Sequence, residues 1–190
     1  NNSLNEINII VPARTIQEVL RIISNFSADA KSIESDVVKI YLSDNQILFS
    51  FNAVELISRL INGQYPDYKQ IIPDKYKTEV EINRQELIRA IKASAIFSKS
   101  GIYDVSLIFK KDIINIYSSS SQSGESSVDL KGDISGDDND VTINYRYLLD
   151  GLNIIDSEQI IIKIINNNTP CVIFSKDDED FLYIIMPIRN

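Results

Sequence analysis

Few residues of this chain could do chemistry, and what is missing says more than what is present. No histidine occurs among its 190 residues, which excludes a Ser-His-Asp or Cys-His nucleophile and any histidine-based metal centre. Neither G-x-x-x-x-G-K-[ST] nor G-x-G-x-x-G occurs, so no glycine loop is there to cradle a nucleotide phosphate. The acidic run Asp177-Asp178-Glu179-Asp180 carries charge enough for a divalent cation. It lacks the glycine and the ligand spacing of a calcium loop, however, and reads as a solvated hairpin turn. The serine tract at 118–121 reads as a strand end running into a mobile loop. One cysteine, Cys171, lies inside a strand pattern and reads as a buried thiol of a reducing cytoplasm, with no internal disulfide open to it. No cofactor, metal or catalytic set is expected, and the chain reads as a non-enzyme. A metal-dependent hydrolase built on the 177–180 run is the enzymatic rival.

Binding chemistry remains. Arg14, Gln17 and Arg21 recur on one side of a helical pattern, and Gln85, Arg89 and Lys92 do so in a second. The formal net charge is −8, with 12 bases and 12 acids in residues 1–100 and 7 bases and 15 acids in 101–190. That balance argues against nucleic-acid binding by net charge alone. Phosphates respond to local potential, though, so repeated basic helix faces lining one surface would still attract them.

The elements that must position these residues form a repeat. Segments 7–25, 78–98 and 140–156 each read as a short strand, a capped start and an amphipathic helix, and three strand-like runs follow each. The starts Pro12, Asn83 and Asn144 are spaced by 71 and 61 residues. The expected apolar stripes are Ile16, Val19, Leu20 and Ile23; Leu87, Ile88, Ile91 and Ala95; and Leu148, Leu149, Leu152 and Ile155, all at helical spacing. Asn83 with Glu86 resembles a capping box, and Asn144 is a good N-cap. Strands are expected at 37–42, 46–51 and 54–61; at 103–109, 113–117 and 125–131; and at 159–165, 170–175 and 181–186. Turns fall at 43–45, 111–112 and 166–168. A single β-α-β-β-β unit cannot bury its own apolar face, so copies must pack side by side. The fold class is α+β: three β-α-β-β-β repeats with helices on one face of antiparallel sheets.

Composition agrees with a globular chain: 44% hydrophobic and 24% charged residues. No apolar run approaches the ~18 residues of a membrane span. The polar opening Asn1-Asn2-Ser3 carries no signal peptide and no starting Met, so a chain cut from something longer, located in the cytoplasm, is expected.

Four segments are more specific than pattern: Ile9-Ile10-Val11-Pro12-Ala13-Arg14 at a helix head, Leu56-Ile57-Ser58-Arg59-Leu60-Ile61, Gly63-Gln64-Tyr65-Pro66-Asp67-Tyr68, and the closing Tyr183-Ile184-Ile185-Met186-Pro187-Ile188-Arg189. In that order they resemble the bacterial sliding clamp family, the β subunit of DNA polymerase III. The third segment is similar to its G-x-[FY]-P-D-Y linker, and the last to its V-M-P-[MI]-[RK] terminus. The resemblance implies the DNA-clamp fold, in which three domains of two repeats each close head to tail as a homodimeric ring around duplex DNA. Residues 1–72 would be the second half of the middle domain and 73–190 the third, C-terminal domain. The first domain and half of the second would lie outside the chain.

The resemblance further implies a non-enzymatic processivity factor. It would tether the DNA polymerase III catalytic subunit, be opened by the clamp loader, and dock clamp-binding-motif proteins in a peptide pocket between middle and C-terminal domains. Positions matching the pocket are Pro66, Ile71, Ile184 and Met186, with Pro187, Ile188 and Arg189 alongside and Ile102, Asn144 and Tyr147 on the adjoining groove. Gln70 stands where many members carry a basic residue. The remaining wall, a T-D-x-x-R-L segment, would precede Asn1, which implies weakened peptide binding. Arg14 and Arg21, with Arg89 and Lys92 as companions, match DNA-facing positions that would touch phosphates non-specifically. Ile96 and Phe97 match the subunit interface. The alternative is a clamp-derived peptide-binding module that does not encircle DNA.

Overall fold

The computed structural model describes residues 7–27, 37–178 and 180–189. The chain divides into two compact units, Asn1–Pro66 and Asp67–Asn190. The polar opening Asn1-Asn2-Ser3 and Glu179 of the acidic run lie outside the described residues.

In the first unit, helix α1 (Ala13–Ser27) starts directly after Pro12, whose carbonyl accepts from the Thr15 N–H at 2.9 Å. Strands β1 (Lys39–Leu42), β2 (Gln46–Phe51) and β3 (Val54–Arg59) follow as an antiparallel sheet in chain order. Strand β2 alternates, burying Ile47, Phe49 and Phe51, as a sheet with one covered face requires. Helix residues Val19, Ile22 and Ile23 face Val38, Phe49, Phe51, Val54 and Leu56 across the apolar interior, and Thr15 Oγ1 meets Ser58 Oγ at 2.7 Å. The packed stripe is therefore Thr15, Val19, Ile22 and Ile23. Ile16 and Leu20, expected on it, are 40% and 59% exposed. The short strand expected ahead of Pro12 does not form a ladder among the described residues; Ile10 meets this unit through its carbonyl, which accepts from the Ile61 N–H at 2.9 Å.

The second unit contains two complete repeats. The first comprises β4 (Thr78–Asn83), α2 (Arg84–Ser94), a 3-10 turn (Ala95–Phe97), β5 (Asp104–Lys110), β6 (Ile113–Ser120), β7 (Gly124–Lys131) and β8 (Asp133–Gly136). The second comprises β9 (Asn139–Asn144), α3 (Tyr145–Ile154), β10 (Gln159–Ile164), β11 (Cys171–Ser175) and β12 (Leu182–Ile185). Each repeat gives its leading strand to the other. β4 pairs antiparallel with β10, and β9 with β5, producing sheets ordered β12-β11-β10-β4-β8 and β7-β6-β5-β9. The two helices pack on each other and close one core, in which Leu87, Ile91, Leu107, Phe109, Ile116, Leu148, Leu152 and Ile160 are fully buried.

Local chemistry sets the helix ends. Asn83 Oδ1 accepts from the Glu86 N–H and Asn144 Oδ1 from the Arg146 N–H, each at 3.0 Å, satisfying donors that a helix start leaves unpaired. Arg84 then crosses to the other helix, donating to Leu152 O at 3.0 Å and Ser157 O at 2.8 Å. A cation is thereby fixed at the C-terminal end of α3, where carbonyl dipoles favour it.

Two expectations are corrected in this unit, and one strand is added. The serine tract is a strand end, as expected, but it runs further: Ser118 to Ser120 pair with β7 and only Ser121 enters the turn, and Ser118 is buried with its hydroxyl donating to Asp104 O at 3.2 Å. Strand β8 was not legible, since D-I-S-G is short and polar. Pairing with β4 creates it, together with Gly136, whose φ of +95° suits glycine and whose Cβ would strike the Lys77 carbonyl. Strand β5 begins one residue later than expected because Tyr103 takes a left-handed φ of +60°. Cys171 is buried, and burial pushes its thiol up to about 12.

Gly151 on α3 sits directly beneath the Tyr183 ring of β12. An added Cβ would lie 2.8 Å from the ring's Cζ, and the ring is held by its hydroxyl on Tyr147 O at 2.8 Å. Gly151→Ala should therefore destabilise the unit by about 1–3 kcal/mol in urea unfolding, despite the better helix propensity of alanine. In a Tyr183→Leu background the same change should become neutral or stabilising.

Candidate recognition surfaces

The start of α3 organises the candidate site. Asn144 ends β9 and caps the helix, while its Nδ2 donates to Ile102 O at 3.3 Å, leaving a second amide hydrogen without a partner among the described residues. The Tyr145 N–H donates to Tyr103 O at 2.8 Å. The loop 99–103 is thereby fixed to the helix start, aided by the Lys99 N–H donating to Asp104 Oδ1 at 3.0 Å. From the other side the C-terminal tail arrives. The Ile188 N–H donates to Thr142 O at 2.7 Å, so the tail lies along β9 two residues before the cap. Pro187 and Ile185 are buried, while Ile184 and Ile188 are half-buried and Arg189 is exposed.

Strand alternation therefore puts Ile185 in the core and turns Ile184 and Met186 the other way. This brings Ile102, Tyr147 and Met186 onto the surface of one unit at 47%, 60% and 50% exposure. The structure thus gathers Ile102, Asn144, Tyr147, Ile184, Met186, Pro187, Ile188 and Arg189 at the loop, helix start and tail joined by these bonds. Gln70 and Ile71 belong to a separate 3-10 turn, Tyr68–Ile71, capped by Asp67. Gln70 Nε2 donates back to Asp67 Oδ2 at 3.1 Å, and Ile71 is exposed. Pro66 is the exposed last residue of the first unit.

Sequence reading missed a pair at this site. The Arg146 guanidinium lies 3.5 Å above the centre of the Tyr103 ring, and Tyr145 meets that ring edge-on at 5.9 Å. The Tyr-Arg-Tyr run at 145–147 was a visible signal of a cation among aromatics. Its partner forty residues earlier was not.

The basic helix faces are exposed as expected at Arg14, Arg21, Arg89 and Lys92, but they are not equivalent. Arg21 donates from Nε to both carboxylate oxygens of Glu18, at 3.0 and 3.1 Å. That bond holds the Glu18 carboxyl below the usual carboxylate range and raises Arg21. No carboxylate pairs with Arg14, Arg89 or Lys92 among the described residues. Ile96, on the 3-10 turn after α2, is 73% exposed, and Phe97 beside it is half-buried. Asp177 and Asp178 serve the β11–β12 hairpin: Ser157 Oγ lies 2.6 Å from Asp177 Oδ2, and Asp178 accepts from the Asp180 and Phe181 N–H groups. Among the described residues no cluster of three metal-ligating side chains occurs, and no helix is long and apolar enough to cross a membrane.

This is a repeat-built α+β chain whose candidate site is an apolar recognition surface set on a helix start. Comparison with known proteins gives its family. The model of the DNA polymerase III beta subunit, central domain, matches residues 1–67, and that of the C-terminal domain matches 69–189. The chain belongs to the DNA polymerase III beta subunit family, the sliding clamps. It is 28% identical over 186 residues to the beta sliding clamp of Staphylococcus aureus and 26% identical over 185 residues to that of Staphylococcus epidermidis, covering 96% of this chain in both cases. It spans about half the length of these relatives, 47% in each. Among solved structures, the DNA polymerase sliding clamp of Bacillus subtilis superimposes with a TM-score of 0.83 at 26% identity, covering 98% of this chain and 48% of that one. The DNA polymerase III subunit beta of Pseudomonas aeruginosa does so with a TM-score of 0.83 at 26% identity, covering 96% and 48%. The α+β clamp fold expected from the repeat is thus the observed one.

If the exposed side chains are there for recognition and not for packing, their removal leaves the fold alone. Tyr147→Ala and Met186→Ala should each change unfolding free energy by no more than about 0.5 kcal/mol. Leu148→Ala, one residue away but fully buried, should cost about 2–5 kcal/mol.

Proposed function

We propose that this chain is the partner-docking part of a DNA sliding clamp. Residues 1–72 form the second half of the middle domain and 73–190 the C-terminal domain of a subunit that closes as a homodimeric ring around duplex DNA. The ring tethers the DNA polymerase III catalytic subunit in the cytoplasm and receives the clamp loader and other proteins bearing short clamp-binding motifs. It performs no bond chemistry and needs no cofactor. The observation that carries this reading is the exposed apolar group Ile102, Tyr147 and Met186 around the half-free amide of Asn144, within a chain of this family. An aliphatic or aromatic peptide anchor suits such a surface, with Met adapting to its shape and Asn and Arg189 bonding peptide polar groups. Pro66, Gln70, Ile71, Ile184, Pro187 and Ile188 complete the proposed docking set.

Arg14, Arg21, Arg89 and Lys92 are the proposed DNA-facing cations. They contact phosphates and leave base edges unread, as a sliding ring requires. Ile96 and Phe97 are the proposed subunit contact, and their turn packs beside β7, the outer strand of its sheet. A second reading, a peptide-binding module that does not encircle DNA, is favoured by the pairing of Arg21 with Glu18, which removes one cation from the proposed DNA face.

Linearisation separates the two. A clamp containing this chain, once loaded on circular duplex DNA, should be released when the circle is cut. Equal retention on circular and linear DNA would overturn encirclement. Glu18→Gln should free Arg21 and steepen the salt dependence of DNA association by about 0.9 in log–log slope. An unchanged slope removes Arg21 from the DNA-facing set.

A further inference from the structure

The pairing of Arg146 with Tyr103 is not explained by the fold, which already ties the 99–103 loop to α3 through backbone and amide bonds. Both residues stand at the candidate docking surface. Asn144 and Tyr147 flank Arg146 in the first turn of α3, and Ile102 precedes Tyr103. Arg146 is exposed, and among the described residues no carboxylate pairs with it. The guanidinium lies 3.5 Å over the ring, and hydrogen bonding to the Tyr145 and Tyr103 side chains raises Arg146 above its ordinary value; a planar fork of five N–H donors keeps further edge groups for a ligand. Its rotamer freedom is already spent on the ring, so less is lost when it takes a ligand. Gln70 of the docking set is neutral and folded back on Asp67. Among the residues at the start of α3, the cation held ready for a carboxylate is Arg146.

We infer that Arg146, clamped on Tyr103, is a specificity-determining residue that selects linear peptide segments bearing an aspartate or glutamate beside their apolar anchor. The apolar anchor goes to Tyr147, Met186 and Ile102, and the flanking carboxylate meets the guanidinium edge in the bidentate geometry that arginine offers and lysine does not. Tyr103 acts as a positioning residue: its left-handed backbone (φ +60°) and the edge-on Tyr145 fix the ring on which the cation rests. This inference rests on the docking surface proposed above.

The test is fluorescence anisotropy with the full chain and two labelled peptides sharing one apolar anchor, one flanked by Glu and the other by Gln. The chain should bind the Glu peptide about three- to fivefold more tightly at low salt, the range of an exposed ion pair, with the preference shrinking as salt screens it. Arg146→Gln should erase the preference while leaving affinity for the Gln peptide unchanged. Arg146→Glu should reverse it. Tyr103→Leu, with circular dichroism to check folding, should diminish the preference although the arginine is retained. A preference that survives Arg146→Gln overturns the inference while the docking surface stands. Met186→Ala separates the two levels: it should weaken both peptides equally. If neither peptide binds, or Met186→Ala weakens neither, the docking surface itself is wrong and the inference falls with it.

Discussion

The exchange of leading strands between repeats is the constraint on which the rest depends. Strand β4 belongs in sequence to the first repeat of the second unit but hydrogen-bonds to β10, and β9 belongs to the next repeat but bonds to β5. Each three-stranded sheet thereby loses an open edge, and α2 and α3 are brought together over one core. An unpaired edge leaves a row of unsatisfied N–H and C=O groups. A single repeat has no strand of its own in position to cover it. The first unit displays the consequence: its β1 has no strand on its outer side among the described residues, and Ile40, Tyr41, Ile16 and Leu20 are exposed.

The same exchange builds the candidate recognition surface. Because β9 must run beside β5, its last residue Asn144 arrives next to the 99–103 loop that leads into β5, and the helix start and loop become one structure. Because β12 must close the other sheet, the tail beyond it returns across β9 and bonds to Thr142. Ile102, Tyr147 and Met186 come from three remote stretches, yet their positions follow from two strand pairings and a helix cap. No flexible loop has to be ordered to assemble them. A surface preorganised in this way loses less conformational entropy when a peptide binds.

Electrostatics is distributed differently from what charge counting suggests. The cations of the chain do not form one basic field. Lys163 pairs with Glu79 across β10 and β4 at 2.8 Å, and Lys176 pairs with Glu81. Arg84 is consumed at the end of α3, and Arg21 is held by Glu18. Arg14, Arg89, Lys92, Arg146 and Arg189 have no such carboxylate partner among the described residues. Local pairing, not the net charge of −8, decides which side chains can meet a phosphate or a carboxylate.

Much of this was legible because it is written in local periodicity. The helix caps Asn83 and Asn144, the alternation of 46–51 and the turns at 111–112 and 166–168 depend on neighbours in sequence, and the three-fold recurrence of strand, helix and strands announced repeats that must share a core. What stayed hidden depended on distant partners. D-I-S-G at 133–136 is a strand only because β4 lies beside it, and the 118–120 serines are ordered only because β7 pairs with them. Ile16 and Leu20 match a buried stripe in spacing, but the helix turns Ile22 inward in place of Leu20. Arg146 is an ordinary surface residue until Tyr103 is placed under it. By itself the sequence determined the helices, most of the strands, the repeat and the family, since hydrophobic spacing and capping act over three or four residues. Tertiary structure alone decided which edges are covered, which cations have a carboxylate partner among the described residues and which apolar side chains remain exposed, because strand pairing and ring stacking join residues that the chain keeps far apart.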